Sequence, residues 1–315
     1  MLHITNGDSV SISGTSIGGD VVFWRDVLHE GPVPAALPLA DLSSVRARFI
    51  ASRGWASIEE AERGFVERDE TLRSAADHHE VVLWFEHDLY DQLQLIQILD
   101  WFLTHRRPHR LSLISLSKFP GMARFKGLGE LSPPQLESLF PNRVRVTLAE
   151  MKVASEAWLA FRSPDPRDIE WTLTNTAPVL PYLNGAFTRH LEQFPSTTDG
   201  LSRTERQILE ITSTGAGRFQ DLFLCDQDRE ERVFMGDSTF AWYVDQLASG
   251  PEPLLDATNG YHLTRSGVAV MSGRSDAVAL RGIDRWLGGV HLEGADPAYR
   301  WDVRARKIVT RAHRN

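Results

Sequence analysis

The sequence predicts an α/β protein: a Rossmann-like parallel sheet domain, then a helical connector, then a winged-helix-like C-terminal domain. Three observations predict this. Over residues 1–150, apolar runs of strand length alternate with helical patterns. Strands separated by helices pair in parallel, and helices cover both faces of the sheet. Residues 151–200 carry Pro164, Pro166, Pro178, Pro181 and Pro195, which punctuate any long helix. From residue 201 onward, three helical patterns precede Asn259-Gly260 between apolar pairs, a strong hairpin signal.

The elements follow in order. Leu2 to Thr5 reads as a short strand running into Asn6-Gly7-Asp8-Ser9, and residues 20–24 as a second strand ending in Arg25-Asp26. Residues 41–77 look helical. Within them Ser57 and Glu60 form a capping box, the serine accepting a free helix-start N–H and the glutamate reaching back. Residues 81–85 form the third strand, 88–103 a helix, 110–116 the fourth strand and 144–148 a fifth. A boundary is expected near Thr197-Thr198-Asp199-Gly200. A second capping box, Ser202 with Glu205, opens the last part, and further helices are expected at 218–225 and 237–248. The chain shows no fixed-period repeat.

Composition narrows the functional classes. The 315 residues exceed what one small core needs, and the single cysteine, Cys225, excludes an intrachain disulfide and a Cys-rich zinc site. The start lacks a basic region followed by an apolar one, and no apolar run approaches the roughly 20 residues that span a bilayer. A cytoplasmic location with no membrane partner is the expectation. The net charge of -8 argues against a general affinity for nucleic acid. The expected third helix of the C-terminal part carries Asp237 and Asp245 and no Lys or Arg. Residues 218–232 set Arg218, Arg229 and Arg232 against Asp221, Asp226, Asp228, Glu230 and Glu231. Such a surface repels a duplex, so this part is expected to be structural or partner-binding. A homo-oligomer stays open.

Four constellations carry candidate chemistry, each at the C-terminal end of an expected parallel strand, where open α/β sheets bind ligands. In Gly7-Asp8-Ser9, Asp8 offers a metal ligand and Ser9 a nucleophile, although Asp and Ser also suit a turn or a helix cap. Trp24-Arg25-Asp26-Val27-Leu28-His29-Glu30-Gly31-Pro32 takes charged residues from the second strand into a stiff loop. Its bland reading is a surface ion pair. Glu86-His87-Asp88, with Asp91 one turn on, ends the third strand. Capping and the helix dipole explain the two aspartates but not Glu86 or His87. After the fourth strand, Lys118, Arg124 and Lys126 lie in a glycine-containing loop that can hold an anion or simply face solvent. No P-loop, Rossmann glycine fingerprint or His-Glu-x-x-His motif is present.

The stretches His3-Ile4-Thr5-Asn6-Gly7-Asp8-Ser9, residues 24–32, residues 83–94 and Arg285-Trp286-Leu287-Gly288-Gly289-Val290-His291-Leu292 resemble a bacterial family known as domain of unknown function eighteen thirty-five. The likeness covers nearly the whole chain. It implies family membership and transfers no activity to any residue, so the chemistry rests on the residues themselves.

Together the constellations predict metal-assisted hydrolysis or transfer on a phosphorylated or nucleotide-like small molecule. Asp8, Glu86, His87 and Asp88 are the expected ligands of a divalent metal (Mg, Mn or Zn). His29, Asp26 and Ser9 are the expected catalytic residues, and Arg25, Lys118, Arg124 and Lys126 the anion-binding ones. The competing expectation is a non-catalytic cytoplasmic ligand sensor or regulator whose C-terminal domain mediates interactions. The last part, 284–289 and 299–302, alternates aromatic and charged residues and is expected to dock for stability or to cover the domain junction.

Overall fold

A computed structural model describes residues 1–175 and 179–310. Pro178 and residues 311–315 lie outside the described residues. The first part runs β1 (Leu2–Thr5), β2 (Asp20–Phe23), β3 (Gly31–Pro32), α1 (Leu39–Ser52), α2 (Ile58–Ser74), β4 (Glu80–Glu86), α3 (Leu89–Thr104), β5 (Arg110–Leu116), α4 (Pro133–Leu139) and β6 (Val144–Arg145). Five strands form one sheet in the order β2-β1-β4-β5-β6. β1 pairs in parallel with β2 on one side and β4 on the other, and β4 pairs in parallel with β5.

The burial of β4 explains its apolar run. All seven of its residues are buried, and side chains alternate between faces. Val81, Leu83 and Phe85 join one core with Leu93 and Ile96 of α3. Val82 and Trp84 join a second core with Val10, Ile114, Leu128 and Leu136. The helical stretch at 41–77 is two helices broken at Gly54, whose φ of 71° no β-branched or bulky residue adopts easily. The capping box of Ser57 and Glu60 forms as expected.

Two expectations about this sheet need correction. β6 runs antiparallel, with Ser112 opposite Arg145 and Leu113 opposite Val144. The segment after β5 holds only the seven-residue α4 and short turns, so it lacks the long crossover helix that a parallel partner requires. Between β1 and β2 there is no α-helix either, only the 3₁₀ turn Ile12–Gly14.

The second part runs α5 (Leu148–Phe161), α6 (Arg167–Asn175), α7 (Leu183–Leu191), α8 (Arg203–Ser213), α9 (Phe219–Arg229), α10 (Asp237–Ala248), β7 (Leu255–Asp256), β8 (His262–Leu263), α11 (Arg265–Met271), α12 (Ala277–Arg281), β9 (Ile283–Gly288), β10 (Val290–Gly294), β11 (Tyr299–Asp302) and β12 (Lys307–Thr310). α5 packs on α3. Three helices and a short antiparallel hairpin follow one another, with Gly260 at φ 87° in the turn.

At the expected boundary, 197–200, Thr197 and Thr198 are exposed while Asp199 and Gly200 are buried. Asp199 is fully buried, accepts from Ser196 Oγ at 2.6 Å and from Leu201 N at 2.9 Å, and pairs with Arg206. Trp301 of β11 clamps the same turn, donating from its N to Pro195 O and accepting from Thr197 N, both at 2.9 Å. β9 returns to the first part and pairs in parallel with β3, with Gly31 opposite Leu287. The two parts thus share a three-stranded sheet, β10-β9-β3, and one continuous hydrophobic core.

Candidate metal centre and the adjoining cleft

β1 is flanked by β2, which follows it in sequence, and by β4, reached by a connection that passes back over β1. The strand order therefore reverses between β1 and β4, the place where open α/β sheets bind ligands at the C-terminal ends of their strands. Asn6 leaves β1 at this point, and Glu86, Asp88 and Asp91 lie between β4 and α3.

Each carboxylate is positioned by backbone geometry. Asp88 caps α3, its Oδ1 accepting from Asp91 N at 3.1 Å. Asp91, in the first turn, points back to β4: Oδ1 accepts from Glu86 N at 2.7 Å and Oδ2 from Asn6 Nδ2 at 2.8 Å. Glu86 is the last residue of β4, and its Oε1 accepts from Leu128 N at 2.5 Å. The loop after β5 thereby closes over the carboxylate. A Cβ on Gly127 would lie 2.3 Å from Glu86 Oε2, so only glycine lets the loop come this close. Glu86, Asp88 and Asp91 each offer an oxygen within 4.8 Å of the others and are 4%, 2% and 1% exposed. This buried acidic triad can hold a metal ion.

The surroundings of the triad disfavour three ionised carboxylates. Burial, then the charge on Asp88, pushes Glu86 up to about 8. Burial pushes Asp88 up to about 6, opposed by N–H donors and by Arg232. Burial, then Asp88 and Glu86, holds Asp91 well above the usual carboxylate range. Among the described residues no Lys, Arg or His forms an ion pair with the three. Arg232, from the loop before α10, comes nearest, with Nη1 donating to His87 O and Tyr182 O at 3.0 Å each.

The other expected site residues scatter. The His87 ring turns away from the triad and packs edge-on against Tyr182 at 5.9 Å; burial, then Arg232, lowers its pKa to about 4. Asp8 forms an exposed ion pair with Arg25. Ser9 is exposed and packs against Gly129, where an added Cβ would lie 2.7 Å from its own. Asp26 is fully buried in an ion pair with Arg46 at 2.9 Å, with Arg68 at 3.8 Å, so it braces α1 and α2. Arg124 is tied to Asp228 and to Gln227 O of α9. Lys118 is exposed and Lys126 half-buried, both in the loop that covers Glu86. The four constellations therefore do not converge on one pocket.

His29 belongs to a different place. It lines a cleft of about 770 Å³ between β2, α1, α2 and the start of α10. It is 1% exposed, edge-on to Phe234 at 5.1 Å and to Tyr90 at 5.9 Å, and neither ring nitrogen has a hydrogen-bond partner. Burial, then Arg46 and His190, holds it neutral, with a pKa well below the ordinary imidazole value. Tyr90 joins the two places. Its ring lines the cleft, and its hydroxyl donates to Asn6 O at 3.2 Å, while Asn6 holds Asp91.

Sequence reasoning missed the place of Asp91 in the triad and the parts of Asn6, Gly127, Tyr90 and Arg232. Asp91 had a signal, since it lies one turn from Asp88; the others depend on long-range packing. No protein family model matches the chain, and no curated protein matches it.

Proposed function

We propose that this protein is a metal-assisted hydrolase or transferase acting on a phosphorylated small molecule, with Glu86, Asp88 and Asp91 holding the cation. The observation that carries this reading is the convergence of three buried carboxylates at the sheet's switch point, none of them in an ion pair among the described residues. Three ionised carboxylates in a low-dielectric site repel one another, and either protons or a bound cation must offset that. The donor set is all oxygen, because the His87 ring faces Tyr182. Such a set favours Mg²⁺ or Mn²⁺ over Zn²⁺. When bound, the cation lowers the pKa of a coordinated water and polarises a phosphoryl oxygen.

The chain's own residues supply the rest. Asn6 and the Glu86 N–H orient Asp91, and the Leu128 N–H orients Glu86. In this reading Lys118 and Lys126, on the covering loop, neutralise the phosphate. The buried, ion-paired Asp26 suits bracing better than proton transfer. His29 lies in the cleft beyond Tyr90, so its use as an acid or base needs substrate that reaches both places. α8, α9, α10 and the β7–β8 hairpin form a winged-helix-like unit in this reading, and its acidic helices suit a protein partner. Among the described residues no helix is long and apolar enough to cross a membrane.

Calorimetric titration with Mg²⁺, Mn²⁺ and Zn²⁺ tests the reading, followed by a phosphatase screen with the best ion. One-to-one binding that is lost in Asp91→Asn, with the fold kept by circular dichroism, is the expected result. No heat from any ion would overturn it.

A further inference from the structure

The cleft between α2 and α10 has the chemistry of a ligand site distinct from the triad. Its volume, about 770 Å³, falls in the range of small-molecule pockets. Phe23, Trp55, Phe65 and Phe234 supply flat apolar walls, with Phe65 6% and Phe234 8% exposed. Arg25 and Arg63 stand at the rim, both exposed, and the Arg25 guanidinium sits over the Phe23 ring at 5.1 Å. α10 begins at the cleft: Gly236, Asp237, Ser238 and Thr239 line it, and Gly236 at the cap position offers no side chain to the first-turn N–H groups.

Carboxylates are also present, and two of them are committed to their own helix starts. Glu60 accepts from Ser57 N at 3.0 Å in the capping box, and Asp237 accepts from Ser238 N at 2.7 Å. Arg25 already pairs with Asp8 at the surface, so Arg63 is the guanidinium left facing an incoming group, with Glu67 its counterweight. His29 provides the second observation. It is a buried, neutral wall residue whose two ring nitrogens find no hydrogen-bond partner among the described residues. A buried polar group without a hydrogen bond is costly. A ligand offering a donor or an acceptor beside it removes that cost.

We propose that this cleft binds a nucleoside monophosphate or a molecule of the same chemistry: a planar heterocycle between the aromatic walls, with an anionic group at Arg63 and the start of α10. Aromatic faces accept any base by stacking. The start of α10 has no N-cap side chain, and although Ser238 N is taken by Asp237, its remaining first-turn N–H groups beside the Arg63 guanidinium favour a phosphate. The ligand would touch α2 of the first part and α10 of the second, so its binding clamps the two parts together. The proposal extends the phosphorylated-ligand reading to a second place and does not need the cation.

Equilibrium dialysis with AMP, adenosine and inorganic phosphate, in EDTA on the full chain, tests it. AMP should bind at least tenfold more tightly than either fragment. Arg63→Glu lies on an exposed helix face and should weaken AMP at least tenfold, leave adenosine unchanged and keep the melting temperature. Asp88→Asn should bind AMP as wild type does, which separates this site from the triad. If AMP fails to bind folded wild type, or binds no better than adenosine or phosphate, the proposal is overturned. Loss of AMP binding in Asp88→Asn alone would also overturn it, by assigning the ligand to the triad. Failure of cation binding leaves the AMP result unaffected, so the two readings fail separately.

Discussion

Arg285 and Glu30 stand 255 residues apart in sequence, yet Arg285 Nη2 lies 2.6 Å from Glu30 Oε1 in the buried seam between the two parts of the chain. Glu30 is 1% and Arg285 7% exposed, and Tyr243 of α10 donates to the same glutamate oxygen at 2.5 Å. The pair lies beside the β3–β9 pairing and ties the returning strand to α10. Removing one partner strands a buried charge, which costs about 3–5 kcal/mol. Arg285→Met should therefore lower unfolding stability by about that amount in urea titration. Arg285→Met combined with Glu30→Leu should lose less than the sum of the single changes. A loss below about 1 kcal/mol in Arg285→Met, the value of a surface pair, would show that the ion pair does not hold the seam.

Gly127→Ala should abolish cation binding while keeping the fold. The added Cβ would lie 2.3 Å from Glu86 Oε2 and 2.9 Å from its Cδ, so the carboxylate or the loop must move. The glycine's φ is 169°, an extended value open to any residue, so the effect comes from space and not from backbone strain. Calorimetry should show loss of the cation signal, with stability down by about 1–3 kcal/mol from overpacking. Unchanged cation affinity would mean that Glu86 is not a ligand.

How much was legible in the sequence differs by feature, for physical reasons. The apolar run at 81–85 and the caps at Ser57 and Ser202 are local, and they appear where their patterns put them. The change from apolar to charged residues at Glu86-His87-Asp88 marked two members of the triad. His87 was the weak member, because in an extended chain its side chain faces opposite to its neighbours, and the ring indeed packs on Tyr182. Asp26 looked like a crevice residue, yet Arg46 of α1 draws it into a buried ion pair. That partner lies 20 residues away and no spacing rule points to it. Asn6, Gly127 and Arg232 approach the triad only through the strand order and the closing loops, which local patterns do not encode. The antiparallel β6 follows from the same limit: a segment can be read as a strand without its direction being known.

Cation binding at the triad should release protons and strengthen as pH rises. Burial, then the Asp88 charge, raises Glu86 to about 8, and burial raises Asp88 to about 6, so a cation binding near neutral pH should displace protons. The sign for stability follows. A carboxyl whose folded pKa is raised favours folding fully below its unfolded pKa, and loses that contribution as pH rises through the folded value. The ion-free protein should thus lose stability from about pH 5 to about pH 8, and Mg²⁺ or Mn²⁺ should restore more of it at the upper end. Titrations in two buffers of different ionisation enthalpy measure the protons released. Zero release near neutral pH would show that protons do not occupy the triad.

His190 should govern part of the acid limb of stability. It is fully buried against Phe161 at 5.0 Å and Phe194 at 6.1 Å, and neither ring nitrogen has a hydrogen-bond partner. Burial, then Arg285 and Arg189, lowers its pKa to about 3. Because the folded value lies below the unfolded 6.5, the unfolded chain takes up the proton first as pH falls. His190 therefore contributes nothing to pH dependence above about pH 6.5, and below it destabilises the fold by at most about 1.4 kcal/mol per pH unit. His190→Phe keeps the shape roughly and removes the titration. Its stability relative to wild type should rise steadily as pH falls from about 6.5 to about 4 in urea titrations. His29 titrates in the same direction and stays in the variant, so the acid limb should become shallower and not vanish. A difference between variant and wild type that is constant across this window would mean that His190 is already charged in the fold or finds a partner on protonation.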